Sequence, residues 1–343
     1  MKKLLIIVLV LLFTISGCTI VETPSDNKTQ YKATFLSLFD TVTYIVGRAE
    51  TQEEFEVLSQ EIHDKLEVYH KLFDIYNKYE GINNIKVINE NAGKEKVQVD
   101  PIIIEFLLDC KKYYDITNGK VNVAMGSVLS LWHEARNVFY DNPFDAYLPN
   151  EEALLEAKKH INFDSIEIDQ EKSTVYISDS FCRLDVGAIA KGWSVQKVAE
   201  EYTEGILISV GGNVCATGPK TSNNTPWVVG VQRHDSSTEY LHTLNITKGC
   251  VVTSGDYQRY YVVDGKPYHH IIDPETLYPS NYWHTVTIVC DDSGVADMLS
   301  TTLFILPLEE GKSLLKIFSA EAVWVDMNNQ VFYSDGFKDY IRT

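Results

Sequence analysis

Residues 51–76 repeat apolar side chains at helical spacing, with Phe55, Leu58, Ile62, Leu66, Tyr69 and Leu72 on one face. Thr51 with Glu54 three positions on forms a capping box, so a helix is predicted to start there. A second helix is predicted over 100–119, with Asp100 as N-cap, Pro101 at its first position and Gly119 at its end. Shorter helical patterns occupy 150–160, 187–202 and 294–306, the last with Asp291, Asp292 or Ser293 as cap. Strand-like runs occupy 35–47, 173–178, 182–186, 205–213, 227–233 and 284–290, and the composition of 77–93 predicts a loop. Residues 259–272 read as a hairpin, because Asp264-Gly265 suits a type I′ turn between alternating positions. His269 and His270, on its returning strand, then point to opposite faces. Strands and helices mix without regular βαβ alternation, and no internal repeat or low-complexity segment occurs. The expected class is α+β, with mixed sheets and packed helices.

The N-terminus breaks this pattern. Lys2 and Lys3 precede an apolar run at 4–13, too short to span a bilayer comfortably, and Ser16-Gly17-Cys18 follows. This layout resembles a bacterial lipobox in which Cys18 is lipidated, with an ordinary cleaved signal peptide as the alternative. The expected organisation is a signal at 1–18, a polar tether at 19–30 and a folded domain at 31–343, held at the extracytoplasmic face of the cell membrane. The tether, as a flexible coil, reaches roughly 20 Å. Among 343 residues, net charge is −18, which repels polyanions and sets nucleic acid aside. An anionic ligand would need a local offset, such as a divalent cation. Cys110, Cys182, Cys215, Cys250 and Cys290 are scattered without a C-x-x-C pair, and read as buried small hydrophobes rather than a disulfide framework or a zinc site.

Four stretches carry candidate chemistry. In "RLDVGAIAKG" a strand ends at Asp185 and a helix begins near Lys191, where free N–H groups favour anions, although an ordinary strand–turn–helix looks the same. Asp297 and Thr301 stand four apart on a helix and offer hard oxygen ligands for Mg²⁺; a solvated Asp beside a buried Thr gives the same pattern. "ISVGGN" runs a strand into paired glycines, which suit either close ligand approach or a plain turn. Thr253-Ser254-Gly255 precedes the hairpin that ends in the histidine pair, and His270 taken alone reads first as a satisfied structural histidine.

In combination and order these stretches resemble the ApbE-type flavin transferases, the FAD:protein FMN transferase family. The resemblance spans about 35–337. It rests on "LFDTVT", "INNIKVIN", "NGKVNVAMG…LW", "RLDVGAIAKGWSV", "ISVGGN", "TSGDYQRYY", "HHIIDP" and "ADMLSTTLF". It implies an ApbE-like, T-fold-related single catalytic unit. It also implies a Mg²⁺-dependent enzyme that cleaves FAD and attaches FMN through a phosphoester to a Ser or Thr of an acceptor protein. By the same resemblance the flavin-contacting positions are Phe39, Tyr76, Lys120, Val121, Asn122, Asp185, Lys191 and Ile272. The metal ligands are the Ala188 carbonyl, Asp297 and Thr301, and His270 is the candidate catalytic residue. The alternatives are a Mg²⁺-dependent FAD pyrophosphatase and a non-catalytic FAD-binding surface lipoprotein. The chain departs from the usual family residues at Phe39-Asp40, where many members have Met-Gly, at Asn122, often Asp, and at Leu277, often Gly.

Overall fold

The computed structural model describes residues 27–235 and 239–343. The expected signal, Cys18 and most of the tether lie outside the described residues. The first half comprises β1 (Thr29–Leu38), β2 (Thr41–Ala49), α1 (Gln52–Phe73), α2 (Ile85–Glu90), β3 (Val97–Gln98), α3 (Pro101–Ile116), α4 (Gly126–Asp141), α5 (Glu151–Ala157), β4 (Ile166–Asp169), β5 (Thr174–Ile177) and α6 (Ala190–Ala199). There follow β6 (Leu207–Val210), β7 (Asn213–Ala216), β8 (Trp227–Gln232), β9 (Tyr240–Ile246), β10 (Gly249–Gly255), β11 (Tyr260–Val263), β12 (Lys266–His269), β13 (Trp283–Cys290), α7 (Ser293–Phe304), α8 (Leu308–Phe318), β14 (Glu321–Asp326) and β15 (Val331–Tyr333). The class is α+β, as expected.

An eight-stranded sheet in the order β1-β2-β6-β7-β10-β13-β14-β15 organises the molecule, and every neighbouring pair in it is antiparallel. Its central strands are covered on both faces. On one face Val286 and Ile288 of β13 and Trp324 of β14 pack with Phe106, Trp193, Leu299 and Leu303 from α3, α6 and α7. On the other, Val251, Val289 and Val323 meet Trp227, Val229 and Leu244 of the β8–β9 hairpin. Burying each such side chain contributes roughly 1.5–3 kcal/mol, which explains why these strands are apolar almost throughout.

Several local expectations need correction. Residues 35–47 do not form one strand. The chain turns at Phe39 and Asp40, both with φ of 52°, and β1 returns as β2. β1 begins at Thr29, paired with Ala49, so the folded part takes in two residues expected in the tether. The 77–93 stretch contains α2, whose Asn84 cap accepts a hydrogen bond from the Val87 N–H at 3.2 Å. Residues 182–186 make one bridge, Arg183 to Met125, rather than a strand. Helices α4 and α8 were not expected. Other signals work as read: Thr51 caps α1, Asp100 caps α3 and Asp292 caps α7 through its side-chain oxygen. Asp264 and Gly265 turn the β11–β12 hairpin with φ of 50° and 77°.

Helices α6 and α7 cross at Gly192. A Cβ there would lie 2.3 Å from the Ser293 carbonyl oxygen and 2.4 Å from the Asp297 Cβ. Gly192→Ala is therefore expected to push the helices apart and to cost about 1–3 kcal/mol, the usual range for overpacking. Urea unfolding measures this, and unchanged stability would mean the helices have room to spare.

Candidate functional site

The Gly192 crossing also shapes the site. The N–H of Gly192, which a helix continued backward would give to the Ala188 carbonyl, goes instead to Asp297 Oδ2 at 2.8 Å. Among the described residues no backbone N–H takes its place on the Ala188 carbonyl. Asp297 is buried at 5% exposure, and burial raises its carboxyl pKa against the lowering effects of Lys191 and the Gly192 N–H. Lys191 Nζ stands 3.9 Å from Asp297 Oδ2 and donates to the Gly187 carbonyl at 2.9 Å. Asn213 faces the same carboxylate and helps to stabilise its charge, yet its buried amide nitrogen completes no hydrogen bond. An unpartnered buried donor is costly, and a bound ligand oxygen would satisfy it.

These groups line a cavity of about 300 Å³, at the small end for ligand sites. Every site position named from the sequence, Cys18 aside, lies on its wall: Phe39, Tyr76, Lys120, Val121, Asn122, Asp185, Ala188, Lys191, His270, Ile272, Asp297 and Thr301. Several of these side chains are engaged with the protein itself. Asn122 donates to the Ile161 carbonyl at 2.8 Å and accepts from the Ala124 N–H at 2.9 Å, so its amide staples two loops. Lys120 contacts Glu275 at 2.9 Å and Asp273 at 3.4 Å; burial disfavours its charge, and these carboxylates outweigh that and raise its pKa. Asp185 accepts from the Gly187 N–H at 3.1 Å and lies 3.8 Å from His133 Nε2. Phe39 donates its N–H to His70 Nδ1 at 3.2 Å and sets its ring edge-on to that imidazole.

The two histidines separate, but β12 ends at His269, so His270 and Ile271 lie beyond the returning strand expected to carry them. His269 donates from Nε2 to the Ser280 carbonyl at 2.7 Å and accepts the Ile271 N–H on Nδ1 at 3.2 Å, with its ring against Phe304. Both nitrogens are spent. His270 lies one residue beyond β12 and faces the cavity. Its Nδ1 is 3.1 Å from the Arg259 carbonyl, which only accepts, so Nδ1 carries the proton and Nε2 presents a lone pair. Burial, His269 and Arg259 lower its pKa to about 3, and the ring is neutral near pH 7.

Sequence reasoning missed His70, His133, Arg136 and Arg259, all on the cavity wall. His133 and Arg136 come from α4. Its periodicity was available in Val128, Trp132 and Ala135, which are buried at helical spacing, but its N-cap residue Met125 offers no side-chain hydrogen bond. Arg136 and Arg259 place positive charge at a cavity in a chain of net charge −18, so a metal ion is not the only possible offset to that charge.

Fold and cavity together define an α+β protein in which cations, a buried carboxylate and a neutral histidine converge on one ligand cleft. The chain belongs to the ApbE family, whose model matches residues 29–324. It is similar to the FAD:protein FMN transferase of Treponema pallidum, 30% identical over 280 residues covering 75% of each chain. It is also similar to that of Klebsiella pneumoniae, 28% identical over 279 residues covering 77% of this chain and 84% of the relative. The ApbE protein of Thermotoga maritima superposes with a TM-score of 0.80 at 26% identity, covering 92% of this chain and 100% of that one. Flavin transferase ApbE from Vibrio cholerae shares the fold, with a TM-score of 0.74 at 21% identity over 91% of this chain.

Burial lowers the pKa values of His133, His269 and His270 below the ordinary histidine value of 6.5. As pH falls through 6.5 the unfolded chain takes up protons that these folded histidines refuse, so stability is lost on the acid side. Melting temperature is expected to drop by roughly 5 °C between pH 7 and pH 5, and by less in His270→Asn. The buried Asp292 and Asp297 carboxyls, whose pKa values burial raises, take up protons more readily in the folded chain and oppose this loss, so the comparison with His270→Asn isolates the imidazole contribution. An equal drop in the wild type and in His270→Asn would mean that the His270 imidazole protonates freely in the folded state.

Proposed function

We propose that this protein is an FAD:protein FMN transferase, which moves the FMN half of FAD onto a serine or threonine hydroxyl of another protein and releases AMP. One observation carries the reading: His270 presents an unprotonated Nε2 to the same cavity as Lys191, Asp297 and Thr301. Membership of a family whose relatives bear that name supports it.

The acceptor hydroxyl attacks the FMN phosphorus, a new P–O bond forms, and the pyrophosphate bond to AMP breaks. His270 Nε2 takes the hydroxyl proton. Its low basicity in the free protein rises when the negative pyrophosphate approaches, because nearby anionic charge favours the imidazolium. In a loose phosphoryl-transfer transition state little nucleophile charge must be drawn off early, so positioning counts for more than base strength. Lys191, Arg136 and Arg259 lie within the cavity wall to meet the phosphoryl charge.

The residues present fit Mg²⁺. Among the described residues no three His, Cys, Asp or Glu side chains cluster to hold a metal, so a self-contained protein cage is absent there. Asp297, Thr301 and the freed Ala188 carbonyl supply the incomplete, hard oxygen set with which Mg²⁺ is usually held beside substrate phosphates. When bound there, Mg²⁺ would neutralise charge on the pyrophosphate. We also propose that Cys18 is lipidated and holds the enzyme at the extracytoplasmic face of the cell membrane, on the strength of the short apolar run and the Ser-Gly-Cys that follows it.

Incubation with FAD, Mg²⁺ and an acceptor protein tests the function. Protein-bound FMN is expected; free FMN with AMP would indicate a pyrophosphatase, and no turnover a carrier. His270→Ala is expected to cut transfer by about 10²- to 10⁴-fold while FAD binding persists. His269→Ala, by contrast, should mainly lower stability. Comparable rates for His270→Ala and wild type would remove His270 from the mechanism. Asp297→Ala should abolish the rise in melting temperature that Mg²⁺ gives the wild type with FAD, and an unchanged rise would place the metal elsewhere. Cys18→Ser should move the protein from the membrane to the soluble fraction, and persistent lipid labelling would refute the anchor.

A further inference from the structure

The geometry points to a disulfide between Cys215 of β7 and Cys250 of β10. The two residues are ladder partners in the antiparallel pair. Residues directly opposite in such a pair have Cα atoms about 4.5–5.5 Å apart, inside the window of about 4.4–6.8 Å that a disulfide accepts. Both side chains project from the same face of the sheet into the same buried cluster. Their sulfur atoms are 2.8 Å apart, far inside ordinary non-bonded contact and within about 1 Å of a bonded separation. Cys290 is the ladder partner of Cys250 on its other side, yet among the described residues no sulfur–sulfur contact joins that pair. The scattered spacing of these cysteines concealed the relation, because the pair meets only through sheet register.

The step is an ordinary thiol–disulfide exchange. Each thiol gives up a proton, the pair gives two electrons to a disulfide-bearing oxidant, and that oxidant leaves as its dithiol. An extracytoplasmic location, proposed above, supplies oxidants of that class. Both thiols are buried, and burial holds Cys250 protonated, so exchange is slow in the folded protein. The bond therefore forms while the sheet is assembling and is then shielded from reductants. It closes a sequence separation of 35 residues that includes the whole β8–β9 hairpin. It also ties together the two strands that carry Asn213 and Thr253–Gly255 to the cavity wall.

The test uses the full chain, in detergent, unfolded and refolded in a buffer of reduced and oxidised glutathione. Free thiols are then blocked with N-ethylmaleimide and the digest is read by mass spectrometry without reduction. A cross-linked peptide pair holding Cys215 and Cys250 is expected, with Cys110, Cys182 and Cys290 recovered as maleimide adducts. The oxidised protein should melt on the order of 5–10 °C above the same protein refolded with dithiothreitol. Cys215→Ala should lose that difference. Recovery of both Cys215 and Cys250 as adducts from folded protein, or preferential linkage of Cys250 to Cys290, would overturn the proposal, whatever the outcome of the transferase assay.

Discussion

A single hydrogen bond, from the Gly192 backbone N–H to the Asp297 side-chain Oδ2, sets much of the site. It requires α6 and α7 to touch, which only a residue without a side chain allows at that point. It uses the donor that would otherwise cover the Ala188 carbonyl, and it gives a buried carboxylate part of the stabilisation that burial removes. Lys191 then follows from helix geometry, one residue before Gly192 and 3.9 Å from the same carboxylate. A packing contact and an electrostatic one are thus the same contact. The apolar sheet beneath α6 and α7 keeps both helices from relaxing away from it.

The histidine pair shows how the same residue type acquires two jobs from hydrogen bonding alone. His269 and His270 share a hairpin and lowered pKa values. What separates them is the second nitrogen. In His269 it accepts a backbone N–H, whereas in His270 it is left to the cavity. The carbonyl that fixes the His270 tautomer belongs to Arg259, whose guanidinium lines the same wall. The hairpin register therefore delivers a base and a cation to the cavity together.

The parts of this arrangement that were legible in the sequence are those with short-range causes. Capping residues, helical periodicity and the Asp264-Gly265 turn act within a few residues, and they mark α1, α3, α7 and the β11–β12 hairpin. The resemblance located every named position on one cavity wall, because motif order survives where pattern does not. What escaped depends on tertiary context. Helix α4 lacks a capping side chain, and with it went His133 and Arg136. The turn at Phe39 and Asp40 has no glycine to announce it, so two strands read as one. The meeting of Cys215 with Cys250 depends on register between strands that no local pattern encodes.

Two turns near the cavity hold residues with a Cβ in the left-handed region of the backbone. Asp40 and Leu277 both adopt positive φ, 52° and 66°, a conformation that favours glycine. Such conformations cost of order 1–3 kcal/mol for residues with a Cβ and persist only when their surroundings over-determine them. The Phe39–Asp40 turn is held by the His70 imidazole on the Phe39 N–H and by Arg259, which reaches the Asp40 carbonyl at 3.5 Å. Leu277 is held by burial, by its N–H to the Asp273 carbonyl at 2.8 Å, and by the Trp132 indole N–H on its own carbonyl at 3.0 Å. Three of these anchors, His70, Arg259 and Asp273, either line the cavity or contact a side chain that does. The strain at both turns is thus balanced by groups at the ligand site, so the same contacts that shape the cavity also hold these two turns.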